Sequence, residues 1–239
     1  MPARAKNING LSNETMAKRL DDMKRLYAEY CDNVENIHVK LQKGNSKTGT
    51  GSFTVSLLPV LDCGNCSGCS RKCYDLRNDC VYSAVRNDRA RNSAIYHCDR
   101  PRFWSEVEEG VNANFVMFLR INVGGDLQYE DFAYITEMAK RCNRTTFLFF
   151  TKMYEDINRF YDEGNRFPEN VKCLFSAWPG MEMVNPYHFP ESHVLWADGT
   201  TTAPEYGAVL CNGNCTACYF TTTGCVGLKH GEHVVFNAH

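Results

Sequence analysis

Nine of the thirteen cysteines fall in two short stretches. Cys63, Cys66, Cys69, Cys73 and Cys80 lie within 18 residues, and Cys211, Cys215, Cys218 and Cys225 lie within 15. Thiols at such spacing either pair as disulfides or bind metal. The odd total, and an N-terminus from Met1 to Asn7 without the apolar segment of a secretory leader, point to a reducing compartment and to metal. The expected compartment is the cytoplasm. Cys63-x2-Cys66-x2-Cys69-x3-Cys73 has the ligand spacing of a bacterial ferredoxin run, with Tyr74 where a proline usually follows. Gly64 and Gly68 let the backbone wrap closely and turn N–H groups toward sulfur. Cys211-x3-Cys215-x2-Cys218 has a three-thiolate spacing that leaves one iron of a cluster open, and Cys225 is placed to close it. The expected ligands are therefore Cys63, Cys66, Cys69, Cys73, Cys211, Cys215, Cys218 and Cys225, holding one or two [4Fe-4S] clusters.

Structural zinc is the alternative, with Cys66/Cys69 and Cys215/Cys218 as two knuckles around one ion. The 145 residues between Cys69 and Cys215 far exceed the usual zinc-ribbon spacing of about 15–20 residues, and the nine thiols outnumber the ligands of one zinc. Cys31, Cys98, Cys142 and Cys173 stand apart and are read as small buried hydrophobes.

The elements that must position these groups follow from the apolar pattern. The chain has 239 residues, 44% hydrophobic, with 26 basic and 28 acidic residues and 29 aromatics. That supports a sizeable core and excludes a disordered chain. A net charge of -2 gives no global drive toward nucleic acid or an anionic membrane, and no apolar run nears the roughly 20 residues of a membrane span. Residues 1–36 read as an arm and a helix capped at Asn13; residues 37–239 read as one α/β domain holding both cysteine clusters, 63–80 and 211–225.

Residues 37–42 and 52–58 read as strands around a Gly- and hydroxyl-rich turn with Lys47. A polar helix follows over about 76–96, with Arg77, Arg86, Arg89 and Arg91, then another from Pro101 to Val111. Apolar strands at 115–122, 145–151 and 171–176 alternate with helices at 129–142 and 154–164. A fourth strand is read at 193–196 and a closing one near 230–239. Strand starts 30 and 26 residues apart are the spacing of βα units, so the expected fold is α/β, a mostly parallel sheet or partial (βα) barrel with Cys-rich metal-binding loops.

In such sheets ligands bind at the carboxyl ends of the strands. That rule selects Asn122, Gly124, Gly125 and Asp126 after one strand, Lys152 after the next and Ser176 after the third. Gly124 and Gly125 would admit a ligand to the backbone, Asp126 would accept from an amine or hydroxyl, and Lys152 would meet a carboxylate or phosphate. Asp126 and Lys152 are the candidate catalytic residues; Asn122, Gly124, Gly125, Asp126 and Ser176 are the candidate cofactor-binding ones. Arg120 lies on a strand and requires a partner if buried. Five histidines, His188, His193, His230, His233 and His239, crowd the last 52 residues; His233 and His239 are candidates for a cluster ligand or proton donor.

The order of Thr48–Leu57, the loop ending Cys69-x3-Cys73-Tyr74, Phe118–Asp126, Phe150–Lys152, Leu174–Ser176, the C-terminal cysteines and Val235–His239 resembles the phage gene-product-88 type, over about residues 45–239. The resemblance implies a protein of phage or mobile-element type, at work in the host cytoplasm if phage-encoded. A second similarity is to radical-SAM enzymes, which have a partial βα barrel, a cluster loop after the first barrel strand and a Gly-Gly-acid motif that receives the methionine amine. It implies a cluster on Cys63, Cys69 and Cys73, with Cys66 as another ligand. It further implies S-adenosylmethionine at Gly124, Gly125 and Asp126, and an auxiliary cluster on the C-terminal cysteines. The x3-x2 spacing itself falls on the C-terminal group. These readings lead to an iron–sulfur protein, radical-SAM-like, of unknown substrate. The rival is a zinc- or cluster-stabilised module that binds nucleic acid through its Arg-rich helix, or binds protein, without catalysis.

Overall fold

The computed structural model describes residues 12–44, 49–66, 68–76 and 82–238; Lys47, Arg77, Cys80 and His239 lie outside them. Helix α1 (Asn13–Cys31) starts one residue earlier than read. Ser12 is its cap, its hydroxyl accepting from Thr15 N at 3.1 Å, and Asn13 is the first helical residue. Strands β1 (Gln42–Lys43) and β2 (Phe53–Val55) form an antiparallel hairpin; of the strand read at 37–42 only Gln42 pairs, and the one read at 52–58 shortens to three residues. Helices α2 (Ser83–Cys98) and α3 (Arg100–Ala113) come next, with Pro101 in the first turn of α3. The alternation then runs β3 (Phe118–Ile121), α4 (Asp131–Arg141), β4 (Thr146–Thr151), α5 (Tyr154–Asp162), β5 (Val171–Ser176) and β6 (Glu191–Leu195). Three elements of the C-terminal part were not foreseen: β7 (Ala208–Leu210), α6 (Cys215–Thr221) and α7 (Gly224–Gly227). The last strand, β8 (His233–Asn237), returns to the sheet.

Among the described residues the eight strands form one sheet in the order β1-β2-β3-β4-β5-β6-β8-β7, parallel except for β1. From β2 to β6 spatial order equals chain order. That is the connectivity of an opened (βα) barrel, and it sends every crossover to the same face. Period-two alternation sorts the side chains accordingly. Leu119, Ile121, Phe147, Phe149, Cys173 and Phe175 face α2–α5 in the main core. Phe118, Leu148 and Leu174 point the other way, against Val226, Val234 and the α6–α7 segment. Continuous apolar strands were the right signal for a sheet covered on both sides.

Helix α1 packs on α2, where Met23 is buried with Leu58, Leu76 and Ala90. Cys142 and Cys173 are buried as read; Cys31 is half-buried and Cys98 exposed, their sulfurs 4.0 Å apart between the ends of α1 and α2. The reading of those two as buried hydrophobes is corrected. Both sit at helix ends, where the packing is open to solvent. Among the described residues no helix is long and apolar enough to cross a membrane.

Candidate metal centres

The first cysteine group occupies the loop leaving the carboxyl end of β2. Four backbone bonds shape it: Cys69 N and Ser70 N donate to Cys66 O at 3.2 and 3.0 Å, Lys72 N to Cys69 O at 3.0 Å, and Cys73 N to Ser70 O at 3.2 Å. Leu76 N donates to the Cys73 sulfur at 3.4 Å, the kind of bond that stabilises a thiolate ligand. Asp62 anchors the entry to the loop. Its carboxylate accepts from Leu58 N at 2.9 Å and Ser93 Oγ at 2.6 Å, and lies 2.7 Å from His97 Nε2. The exit of β3 is zipped to the same loop, Asp126 N donating to Asp62 O at 2.8 Å and Leu57 N to Gly124 O at 3.0 Å.

Gly64 and Gly68 serve close packing: a Cβ on Gly64 would stand 2.5 Å from Met153 Sδ, and one on Gly68 2.8 Å from Met181 Cγ. Trp178 Nε1 donates to Gly68 O at 2.9 Å and Asn65 Nδ2 to Lys152 O at 3.3 Å. The loops after β2, β3, β4 and β5 thus converge on one edge of the sheet, as the strand-end rule required.

The polar residues of that edge are arranged as follows. Asn122 has a positive φ of 54° and is buried. Gly124 lies where a Cβ would meet Asp75 Oδ2 at 2.2 Å and Leu57 O at 2.9 Å, and Gly125 has φ 80° against Leu57. The glycines therefore hold β3 to the β2 exit. Asp126 is buried, its oxygens accepting from Leu127 N at 2.8 Å and Lys152 N at 2.9 Å. Burial pushes its carboxyl upward despite those donors. Burial, and then the Asp126 charge, push the Cys63 thiol up, so this acid adjoins the cysteine loop. Lys152 Nζ is 3.5 Å from Ser176 Oγ and 5.6 Å from the Trp178 ring centre. Gly124→Ala is expected to destabilise the fold by about 2 kcal/mol or more, because carbonyl and carboxylate both obstruct the methyl. Urea unfolding would check it; a change under about 0.5 kcal/mol would show that the two loops are not tightly apposed.

The second group lies on the opposite face from α2–α5, over β3 and β4. Cys211 N donates to Val235 O at 2.8 Å, continuing the β7–β8 pairing. Asn214 caps α6 by accepting from Ala217 N at 2.9 Å, which sets Cys215 and Cys218 on successive turns. Gly224, φ 53°, takes the chain past the Cys218 sulfur, which would stand 2.8 Å from a Cβ there. Cys211, Cys215, Cys218 and Cys225 line one cavity of about 120 Å³ with Phe118 and Arg120 among its walls. This is several times the space of one water. Arg120 finds only part of the partner it needs: its guanidinium lies 5.0 Å from the Phe150 ring centre, and among the described residues its buried Nε has no hydrogen-bond acceptor. Burial alone would lower its pKa; the Tyr74 hydroxyl and the sulfurs of Cys215, Cys225 and Cys211 outweigh that and raise it.

The first group lies at the strand ends and the second on the sheet face. Among the described residues no three cysteine sulfurs come within 4.8 Å of one another, whereas ligands of a single tetrahedral zinc sit about 3.8 Å apart. The Arg-rich helix is also partly inward: Arg89 Nη2 is 2.6 Å from Asp75 Oδ1, both side chains buried, and Arg91 lies over the Tyr30 ring.

The histidine reading singled out His233 but did not join it to His193 and Glu191. His193 and His233 meet Glu191 across β6 and β8. Strand β6 begins at 191, two residues before the expected start, and the Glu191-x-His193 alternation was the signal that could have shown both on one face.

The family model for gene product 88 matches residues 33–227. No curated protein and no solved structure matches the chain.

Proposed function

The chain belongs to the gene product 88 family, and we propose that it is an iron–sulfur protein with a separate cluster on each cysteine group. The observation that carries this reading is the cavity walled by Cys211, Cys215, Cys218 and Cys225. A polynuclear cluster, whose own irons and sulfides fill the middle, keeps its cysteines farther apart than one ion does. The room between the walls suits it. Arg120 would offset part of the negative charge of a thiolate-bound cluster. At the other group, the Leu76 N–H on the Cys73 sulfur would do so, and the loops after β3 to β5 would shield the cluster from water.

The location of the first group favours catalysis as a second reading. It follows the first parallel strand, beside Lys152 and Ser176, as in the radical-SAM arrangement. A cluster there with one open iron would supply reduction of a bound sulfonium cofactor such as S-adenosylmethionine. Lys152, 3.5 Å from Ser176 Oγ, is the cation available to orient a carboxylate. Asp126 would act through position: with its oxygens on backbone N–H groups, it sets the Lys152 backbone rather than offering an open acceptor. A binding module without catalysis keeps less support on the nucleic-acid side, since Arg89 is taken by Asp75.

Anaerobic purification followed by iron and acid-labile sulfide analysis tests the proposal. Iron and sulfide in equal amounts are expected; colourless protein with about one zinc per chain would replace clusters by a structural ion. Cluster uptake by the metal-free chain is also expected to release protons. Burial, followed by the charge of Asp75, pushes the Cys73 thiol up to about 11, and burial, followed by Cys211, pushes Cys225 up to about 12. These thiols are protonated at neutral pH and must ionise to bind, so uptake strengthens as pH rises. An indicator dye read during anaerobic reconstitution would follow the protons; affinity unchanged between roughly pH 6.5 and 8.5 would exclude these thiols as ligands.

A further inference from the structure

We infer that Glu191, His193 and His233 form a mononuclear site for a divalent first-row transition metal, separate from both cysteine groups. Glu191 and His193 alternate along β6, so they share a face, and the parallel register places His233 of β8 beside Glu191. Three potential ligand atoms consequently converge: His193 Nε2 and His233 Nδ1 are 3.2 Å apart, Glu191 Oε2 is 3.3 Å from His233 Nδ1, and it is 3.5 Å from His193 Nε2. An ion bound at about 2.1 Å holds such ligands about 3.0 Å apart in an octahedral arrangement and about 3.4 Å in a tetrahedral one. The observed separations of 3.2, 3.3 and 3.5 Å lie close to the tetrahedral value without any rearrangement of the strands.

The surrounding contacts orient all three atoms. His193 Nδ1 lies 2.9 Å from Thr202 Oγ1; donating there fixes the tautomer that leaves Nε2 bare for an ion. Glu191 Oε1 accepts from Asn185 Nδ2 at 3.0 Å, which leaves Oε2 to face the imidazoles. The Asn185 amide is itself held by Phe189, whose N donates to Oδ1 at 2.8 Å and whose carbonyl accepts at 2.9 Å. This is the outer layer that metal-binding histidines and carboxylates ordinarily carry.

Two neutral imidazoles and one carboxylate suit Fe²⁺ or Zn²⁺ more than a hard ion bound by oxygen alone. The His193 side chain is 3% exposed, but Glu191 is 18% and His233 23%. The ion would have protein on one side and water on the other, so its remaining positions stay open to solvent or a ligand. Sites of that kind activate water or bind a small oxygen donor, in contrast to closed structural sites. Neither cysteine group shares a ligand with this one: the second group faces the other side of the sheet, with Val234 between.

The test is an anaerobic titration of the purified chain, clusters in place, with Co²⁺. One equivalent is expected to bind with weak d–d absorption and no sulfur-to-cobalt charge transfer, the signature of nitrogen and oxygen ligands. Glu191→Gln and His233→Ala should each weaken that component at least about tenfold, with unchanged circular dichroism and iron content; Thr202→Val should weaken it by about tenfold. Absence of a component free of charge transfer, or one undiminished in both Glu191→Gln and His233→Ala, would overturn the site. If the cysteines hold no clusters, Co²⁺ will also give charge-transfer bands insensitive to Glu191→Gln, so the two readings fail separately.

Discussion

Replacing Cys63, Cys66 and Cys69 together by alanine is expected to remove about half of the iron and labile sulfide, two clusters being reduced to one. Replacing Cys211, Cys215 and Cys218 should remove the other half. The expectation follows from the separation of the two groups, one where the chain leaves β2 and the other on the face bearing Phe118, Leu148 and Leu174. The two variants should differ in stability. Cys211, Cys215 and Cys225 pack against that second apolar cluster, so truncation there also opens a void; the first group is a loop braced by backbone bonds. Complete metal loss in either variant would mean one shared centre, and unaltered metal content would remove that group from the ligands.

Asp75→Ala should lower unfolding free energy by about 3–5 kcal/mol, because it removes one partner of a buried ion pair. Asp75 and Arg89 are 3% and 5% exposed and 2.6 Å apart, and the pair joins the cysteine loop to α2. Asp75 stands two residues beyond Cys73 and against Gly124, so the loss should loosen the first cysteine group as well. Asp75→Ala combined with Arg89→Leu should recover part of the loss, since it removes both charges of the buried pair. Urea unfolding at matched iron content measures both; a cost below about 1 kcal/mol for Asp75→Ala would mean the pair behaves like a surface one.

The parallel core could be read from the chain because its signal is local: Phe115–Asn122, Thr145–Thr151 and Val171–Ser176 are apolar runs at βα spacing, and each contains the strand observed. The strand-end rule likewise found the edge where Asp126, Lys152 and Ser176 converge. What could not be read was direction. Asp126 looks like a ligand acceptor in one dimension; only the fold shows that Leu127 N and Lys152 N occupy its oxygens. Gly124 and Gly125 look like an opening for a ligand, and the fold fills that opening with Leu57 and Asp75.

The C-terminal part was hardest. Strand β7 has three residues and α7 four, too short for any periodicity, and their conformations are imposed by pairing with β8 and packing on β3 and β4. The same non-local pairing hides the Glu191, His193 and His233 cluster, because the register of β6 on β8 joins residues 40 positions apart.

Mössbauer spectroscopy of ⁵⁷Fe-labelled protein, isolated without exposure to oxygen, tests the cluster assignment most directly. It should show nearly all iron in sulfur-bridged clusters, about eight atoms per chain if both groups are filled with four-iron centres. Iron found only as isolated ions, or a chain that takes up zinc on its cysteines and no cluster iron, would contradict it.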